Sequence, residues 1–308
     1  MEKTQDMVLE IRDLSVRFCM YRGGVRQEEL TVISDLNVSV QAGEVVAVIG
    51  SSGSGKSLLA HAILGILPNN GTVTGSIEYM GERLDAQRQN KLRGREIALV
   101  PQSVNYLDPM MRVGKQVIGI HGTKAQQEAA FRRFGLAPST ADKYPFQLSG
   151  GMARRVLIST AITNGAHLVI ADEPTPGLGV REAKEVLLSF REIADEGNAV
   201  LLITHDIDLA VTIADRIAVF YAGTTVELAN RADFQGNGEK LRHPYTKAMW
   251  RALPQNAFES LSGLQPYAGT VKSGCPLFDR CPIRDCECEG TIKMRPLRGG
   301  FVRCCHAT

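Results

Sequence analysis

No stretch of this chain constrains its fold more than residues 50–57. Gly50-Ser51-Ser52-Gly53-Ser54-Gly55-Lys56-Ser57 fits the pattern G-x-x-x-x-G-K-[S/T] in full. The run before it, Val45–Ile49, is continuously apolar and suits a strand buried on both faces. Leu58–Leu67 after it reads as a helix. Strand, glycine loop and helix together open a nucleotide-binding α/β fold. Glycines at these positions let backbone N–H groups turn inward around phosphate oxygens. The helix N-terminus adds the positive end of its dipole. Lys56 is placed to reach the β- and γ-phosphates, and Ser57 Oγ to ligate Mg²⁺. A flexible Gly/Ser turn is the bland alternative, but the buried strand and the helix are the context that the phosphate-binding pattern demands.

A second motif has the chemistry to complete such a site. His167-Leu-Val-Ile-Ala-Asp172-Glu173 is an apolar strand that ends in two carboxylates. Asp172 would hold Mg²⁺ through water, and Glu173 would polarise an attacking water. Adjacent carboxylates also begin ordinary loops, so this motif gains its meaning from the phosphate loop.

Bulk properties exclude some classes. The apolar runs are far shorter than the ~18–20 residues of a membrane helix. The start, MEKTQDMVLEIRDL, is polar and has no apolar signal region. These features predict a cytosolic protein, unless a partner holds it at a membrane. A net charge of +2 gives no global field suited to nucleic acid, and no nucleic-acid partner is expected. Cysteine usage is uneven. Cys19 stands alone, whereas Cys275, Cys281, Cys286, Cys288, Cys304 and Cys305 crowd into the tail. In a cytosolic chain such a cluster reads first as metal-binding rather than disulfide-forming.

Along the chain, Val8–Phe18 alternates in part, as an edge strand would, and Leu36–Val40 alternates as well. Leu168–Ala171 and Ala199–Thr204 read as further buried strands, with a helix at 181–196 between them. Ile217–Tyr221 and Thr225–Leu228 read as a hairpin across Ala222-Gly223. His243–Ala252 reads as a short helix, and 254–274 as a linker to the cysteine tail.

Between the phosphate loop and the carboxylate strand lies Leu148-Ser149-Gly150-Gly151-Met152, which resembles the ABC signature LSGGQ with Met in place of Gln. Gln102, after the strand 97–100, resembles the Q-loop glutamine, and His205 the switch histidine. The five motifs stand in the order of the ABC ATPases, and the resemblance covers residues 8–230. It implies a P-loop ABC ATPase fold of the α/β class, with a RecA-like core, an antiparallel β subdomain and a helical subdomain at about 103–151. The expected division is an ATPase domain at 1–235 and a C-terminal extension at 236–308. The resemblance also implies a head-to-tail pair in which Ser149, Gly150 and Gly151 bind the ATP of the partner subunit. Within the chain, His205 would contact the γ-phosphate and Gln102 the Mg²⁺ and attacking water. Glu173, His205 and Gln102 are thus the expected catalytic set, and Ser57, Gln102 and Asp172 the expected Mg²⁺ set. An aromatic near residue 20 stacks on adenine in this family: Phe18 is the first choice and Tyr21 the alternative. Gly179 departs from the pattern, since the family has Asp there, in a loop at the dimer interface. This departure predicts unequal ATP sites in a heterodimer.

Further stretches resemble the ATPases of dipeptide, oligopeptide and nickel importers: Leu107-Asp108-Pro109, Ala214–Val219, Tyr221-Ala222-Gly223, the element His243-Pro244-Tyr245-Thr246, and the cysteine tail. The implied function is an ATP-hydrolysing importer subunit at the cytoplasmic face of the inner membrane. The implied partners are a second ABC ATPase, two permease subunits and an extracytoplasmic solute-binding protein. Family members with this tail can bind a 4Fe-4S cluster, with Cys275, Cys281, Cys288 and Cys305 the best match and Cys286 and Cys304 as alternatives. A structural Zn²⁺ site or free thiols compete with that reading. A soluble ABC ATPase without transport, or an exporter ATPase, are the competing functions. Cargo is not legible, because in this family the solute-binding protein and permeases select it.

Overall fold

A computed structural model describes residues 6–22, 26–51, 53–120, 122–163, 165–259, 261–266, 269 and 274–308. Ser52 of the phosphate loop and part of the expected linker lie outside the described residues.

Two sheets organise the chain. The smaller is antiparallel. It contains β1 (Met7–Arg22), β2 (Arg26–Gln41), β4 (Gly71–Tyr79) and β5 (Glu82–Arg83), in the order β2-β1-β4-β5. Here the structure corrects the expectation for Val8–Phe18. β1 is interior, paired with β2 on one side and β4 on the other. Its alternation comes from one face packing on the core, with Leu9, Ile11, Val16 and Phe18 buried, and not from lying at an edge. β4 escapes a hydrophobicity reading because its first half, Gly71-Thr-Val-Thr-Gly, is exposed or only half-buried.

The larger sheet contains β3 (Val45–Ile49), β6 (Ile97–Val100), β7 (Leu168–Asp172), β8 (Ala199–Thr204), β9 (Arg216–Tyr221), β10 (Thr224–Asn230), β11 (Arg295–Leu297) and β12 (Gly300–Val302). Its order is β11-β12-β10-β9-β3-β8-β7-β6. The run β9-β3-β8-β7-β6 is parallel. Both faces of this run are covered, which is why its strands read as unbroken apolar stretches. Val45, Ala47 and Ile49 join one core, and Val46 and Val48 the other. The first core lies under α6 (Val180–Asp195) and α7 (Ile207–Ile213). The second lies under α1 (Lys56–Leu64) and the antiparallel sheet.

The remaining helices complete the frame. Between β5 and β6 lies α2 (Ala86–Leu92). α3 (Val113–Ile118), α4 (Lys124–Arg133) and α5 (Gly150–Ile162) form a helical subdomain with a small core of their own, including Val113, Val117, Phe131, Val156 and Leu157. The expected hairpin forms across Ala222-Gly223, whose φ values of 47° and 82° are those of a tight turn between twisted strands.

The C-terminal extension is built into this frame. α8 (Pro244–Arg251) is the helix expected from the His-Pro-Tyr-Thr element. Before it, Arg242 and Glu227 are fully buried together. Glu227 Oε1 accepts from the Arg242 backbone N–H at 2.9 Å, and Oε2 from the His243 N–H at 2.8 Å. The Arg242 guanidinium also bridges Glu227 and Asp233 and donates to the Leu297 carbonyl. One buried ion network thus ties β10, α8 and the tail hairpin, and β12 pairs directly with β10.

Candidate functional site

The phosphate loop leaves β3 and enters α1. Gly50 sits where a Cβ would lie 2.6 Å from the Phe220 carbonyl oxygen, so only glycine fits this close approach. Gly53 and Gly55 carry positive φ, 77° and 92°, which curl the loop over the start of α1. Lys56 is buried, and its ammonium donates to the Gly50 and Ser51 carbonyls at 2.8 and 2.9 Å. Burial lowers its pKa, and the nearby carboxylates of Glu173 and Asp172 oppose that shift.

The expected carboxylates stand at the end of β7, opposite the loop. Ser57 Oγ donates to Asp172 Oδ1 at 3.1 Å, which brings together the two groups expected to hold Mg²⁺. Burial pushes the Asp172 carboxyl up, while the Ser57 hydroxyl pulls it back. Glu173 follows in the left-handed region, φ 46°, with its N–H on the Ile203 carbonyl. Its Oε2 lies 2.7 Å from His205 Nδ1.

These groups share one cleft of about 710 Å³, lined among others by Ser51, Gly53, Gly55, Lys56, Ser57, Gln102, Glu173 and His205. Four segments distant in sequence therefore meet at one opening. Donors and a cation lie on one side, with carboxylates and an imidazole facing them. This set suits a phosphorylated ligand with a divalent cation, and a water attacking its terminal phosphate.

Two expected groups lie elsewhere. Phe18, the first choice for stacking on adenine, is packed in the core, only 9% exposed, with its ring against Gly71. The strand's alternation turns it inward with Val16. Tyr21 is the exposed ring, 67% accessible, its hydroxyl accepting from Gln27. Ser149, Gly150 and Gly151 stand outside the cleft. Ser149 caps α5, with its Oγ accepting the Met152 N–H at 3.3 Å, and Gly151 lies beside the Glu182 carboxylate. That carboxylate also accepts the Gly179 N–H at 3.1 Å.

Sequence reasoning missed Arg154. It is buried on α5 and donates to the Pro101 carbonyl at 3.0 Å and the Gln102 carbonyl at 2.7 Å. It thereby fixes the backbone of Gln102 from the helix that Ser149 caps. A basic residue on the third position after a glycine pair gave no signal by itself.

The tail gathers its thiols. Cys275, Cys288 and Cys304 are buried, Cys281 and Cys305 half-buried, and Cys286 exposed. No disulfide links them among the described residues. Cys288 Sγ lies 3.5 Å from Cys305 Sγ, and the ligand atoms of Cys288, Cys305 and His306 lie within 4.8 Å of one another. Burial pushes the Cys275 thiol up to about 11, and neighbouring Cys288, Cys304 and Cys281 add to the shift. Cys305 is likewise pushed up to about 11, by burial and by Cys288.

The comparisons with known proteins agree with this geometry. The ABC transporter family model matches residues 33–176, and that of the oligopeptide/dipeptide transporter C-terminal region matches residues 226–288. The oligopeptide transport ATP-binding protein OppD of Escherichia coli is 33% identical, over 99% of this chain and 94% of its own length. The dipeptide transport ATP-binding protein DppD of the same organism is 36% identical, over 97% and 96%. A solved dimeric ATP-binding cassette, MJ0796 bound to ADP and phosphate, superposes with a TM-score of 0.63 at 23% identity. That likeness covers 72% of this chain and 98% of the cassette, and it speaks to fold alone.

Proposed function

The chain belongs to the family of ABC transporter ATP-binding proteins, in the group of the oligopeptide and dipeptide transport ATPases, and from that premise we propose that it powers peptide import. The observation that carries this reading is the single cleft in which Lys56, Ser57, Gln102, Glu173 and His205 meet. The relatives reported above are named for oligopeptides and dipeptides, which favours peptide cargo over nickel.

The residues divide the work. On ATP binding, Lys56 would exchange its two loop carbonyls for phosphate oxygens, a trade of neutral acceptors for anionic ones. Ser57, Asp172 and Gln102 would hold Mg²⁺, which would supply neutralisation of phosphate charge. Glu173 would orient and polarise the attacking water, and His205 would hold the Glu173 carboxylate and reach the γ-phosphate. Tyr21 takes the place of Phe18 as the candidate adenine platform. Ser149, Gly150 and Gly151, outside the cleft, would cap the ATP of a second ATPase. With Gly179 in place of a carboxylate, that pair is best read as a heterodimer with unequal sites.

Two permeases and an extracytoplasmic binding protein complete the proposed assembly. Residues 1–235 act as the ATPase and 236–308 as an extension, with the helical subdomain at about 103–151 facing the permeases. Met110 and Phe146, exposed there, suit such docking. No helix of the described residues is long and apolar enough to cross a membrane, so the chain would sit at the cytoplasmic face through its partners. Uptake of labelled dipeptide, oligopeptide and nickel by cells carrying wild type or Lys56→Ala tests the function. Peptide uptake lost in the variant supports it; unchanged uptake of all three overturns it.

In the tail we infer a soft metal centre for which Cys275, Cys281, Cys288 and Cys305 would be the donors; the ligand atoms of Cys288 and Cys305 lie together with that of His306, while Cys286 is exposed. Such a centre would staple a tail too small to bury a core of its own. Iron and acid-labile sulfide in anaerobically purified protein support a 4Fe-4S cluster; stoichiometric zinc without sulfide replaces it with a structural zinc site.

A further inference from the structure

A residue of the C-terminal extension touches the phosphate loop. Ser51 Oγ donates to Gln265 Oε1 at 2.5 Å, across 214 positions of sequence. The Gln265 amide has two N–H donors. Among the described residues, neither has a protein acceptor. Ser51 lines the cleft, so the Gln265 amide is anchored on a residue of its wall.

The segment carrying Gln265 is fastened at its base by Arg280. The Arg280 guanidinium donates to the Ser262 carbonyl at 2.8 Å, the Leu261 carbonyl at 3.0 Å and the Tyr221 hydroxyl at 3.1 Å. It also lies over the Tyr221 ring. Tyr221 is fully buried and ends β9, one residue after Phe220, whose carbonyl abuts Gly50. The fastening point is therefore the strand end against which the phosphate loop begins. Arg280 is followed at once by Cys281 of the thiol cluster.

We propose that Gln265 is a positioning and nucleotide-contact residue of the ATP site, held on Ser51 by the Arg280 fastening and offering its amide N–H donors to the phosphates. This rests on the reading of the cleft as the nucleotide site. Its physical warrant is the pairing of a neutral donor, held by Ser51 on a segment that Arg280 fastens a few residues away, with an anionic ligand: part of the ordering entropy is already lost before the phosphates arrive. A consequence is that Arg280, next to Cys281 of the tail, and Gln265, on the phosphate loop, belong to one fastened part of the extension.

The test is equilibrium binding of a non-hydrolysable fluorescent ATP analogue to the full chain. Wild type is compared with Gln265→Ala, Gln265→Glu, Ser51→Ala, the Ser51→Ala/Gln265→Ala double variant, and Lys56→Ala. Gln265 is only half-buried, so its variants keep the fold, which far-ultraviolet circular dichroism checks. Gln265→Ala is expected to weaken binding about three- to tenfold. Gln265→Glu should weaken it further, by setting a carboxylate against the phosphates. The double variant should be no weaker than the worse single one, because the two side chains act as a unit. Wild-type or tighter affinity in Gln265→Ala, with Lys56→Ala binding nothing, overturns the proposal and spares the cleft. Undiminished binding by Lys56→Ala overturns the cleft reading and the proposal with it.

Discussion

His205 Nδ1 lies 2.7 Å from the carboxylate of Glu173, and Glu173 is held in left-handed backbone at φ 46°. A non-glycine residue in that region costs about 1–3 kcal/mol. Its N–H is fixed on Ile203 of β8, so the strain is maintained by the sheet itself. Glu173→Gln keeps the shape and removes the charge. It is expected to lower phosphate release by about 10²–10⁴-fold while leaving nucleotide binding intact. Steady-state hydrolysis and equilibrium binding on the same preparation check this.

Glu173→Gly should separate stability from activity. Glycine adopts φ 46° without penalty and removes a carboxylate adjacent to Asp172. Thermal unfolding should show a gain of about 1 kcal/mol, with hydrolysis lost. A destabilised variant would show that the His205 contact outweighs the strain.

Arg154 fixes the Gln102 segment through two carbonyls. Arg154→Met retains the length of the side chain and loses both donors. Unfolding in denaturant should show a cost of about 1–3 kcal/mol from the buried carbonyls left unpaired. Half-maximal hydrolysis should move to a higher Mg²⁺ concentration without being abolished, since Ser57 and Asp172 remain.

Glu227 is fully buried and accepts from Arg242 and His243. Glu227→Ala leaves the Arg242 guanidinium with Asp233 as its sole carboxylate partner. The expected loss is about 3–5 kcal/mol, the usual cost of breaking a buried pair from one side. Chemical denaturation reads it directly. If the loss is under about 1 kcal/mol, the network is not what joins the extension to the sheet.

His243 gives the pH dependence. It is wholly buried, and burial lowers its pKa to about 3. Its Nδ1 accepts the Tyr245 N–H, so the ring is neutral in the fold. In the unfolded chain the imidazole titrates near its ordinary value of about 6.5 and binds the proton first as pH falls. This contribution to stability is thus complete above about pH 6.5 and is lost progressively as pH falls from there towards 3. His243→Asn keeps a cap for α8 and removes the titration. The fall in melting temperature between pH 7 and pH 5 should therefore be smaller in the variant than in wild type.

The cleft was legible in the sequence because its chemistry is local. Gly50–Ser57 and Asp172-Glu173 each need a strand end and a loop, and unbroken apolar strands announce both. Phe18 was misjudged because a single aromatic in an alternating strand does not reveal which face is the core until its partners are known. β1 was misplaced at an edge for a related reason: its second neighbour, β4, is half-exposed and carries little hydrophobic signal. Gln265 and Arg154 were invisible. Their partners lie 214 and about 50 positions away, and a lone Gln or Arg has no periodicity to betray such a contact. The gathering of five thiols follows from a fold that joins residues 275–288 to residues 304–305, which spacing alone only suggested.

The pairing of β12 with β10 bears on how the chain is made. β10 ends the ATPase part of the large sheet, and until residues 300–302 leave the ribosome its outer hydrogen-bonding groups have no partner. Such an open edge invites pairing with other chains. In the finished fold the edge passes to β11, three residues long and carrying Pro296, which offers a neighbour almost nothing to extend. The ATPase core is therefore exposed to misassembly for the time taken to synthesise about seventy residues, and truncation before residue 300 would make that condition permanent.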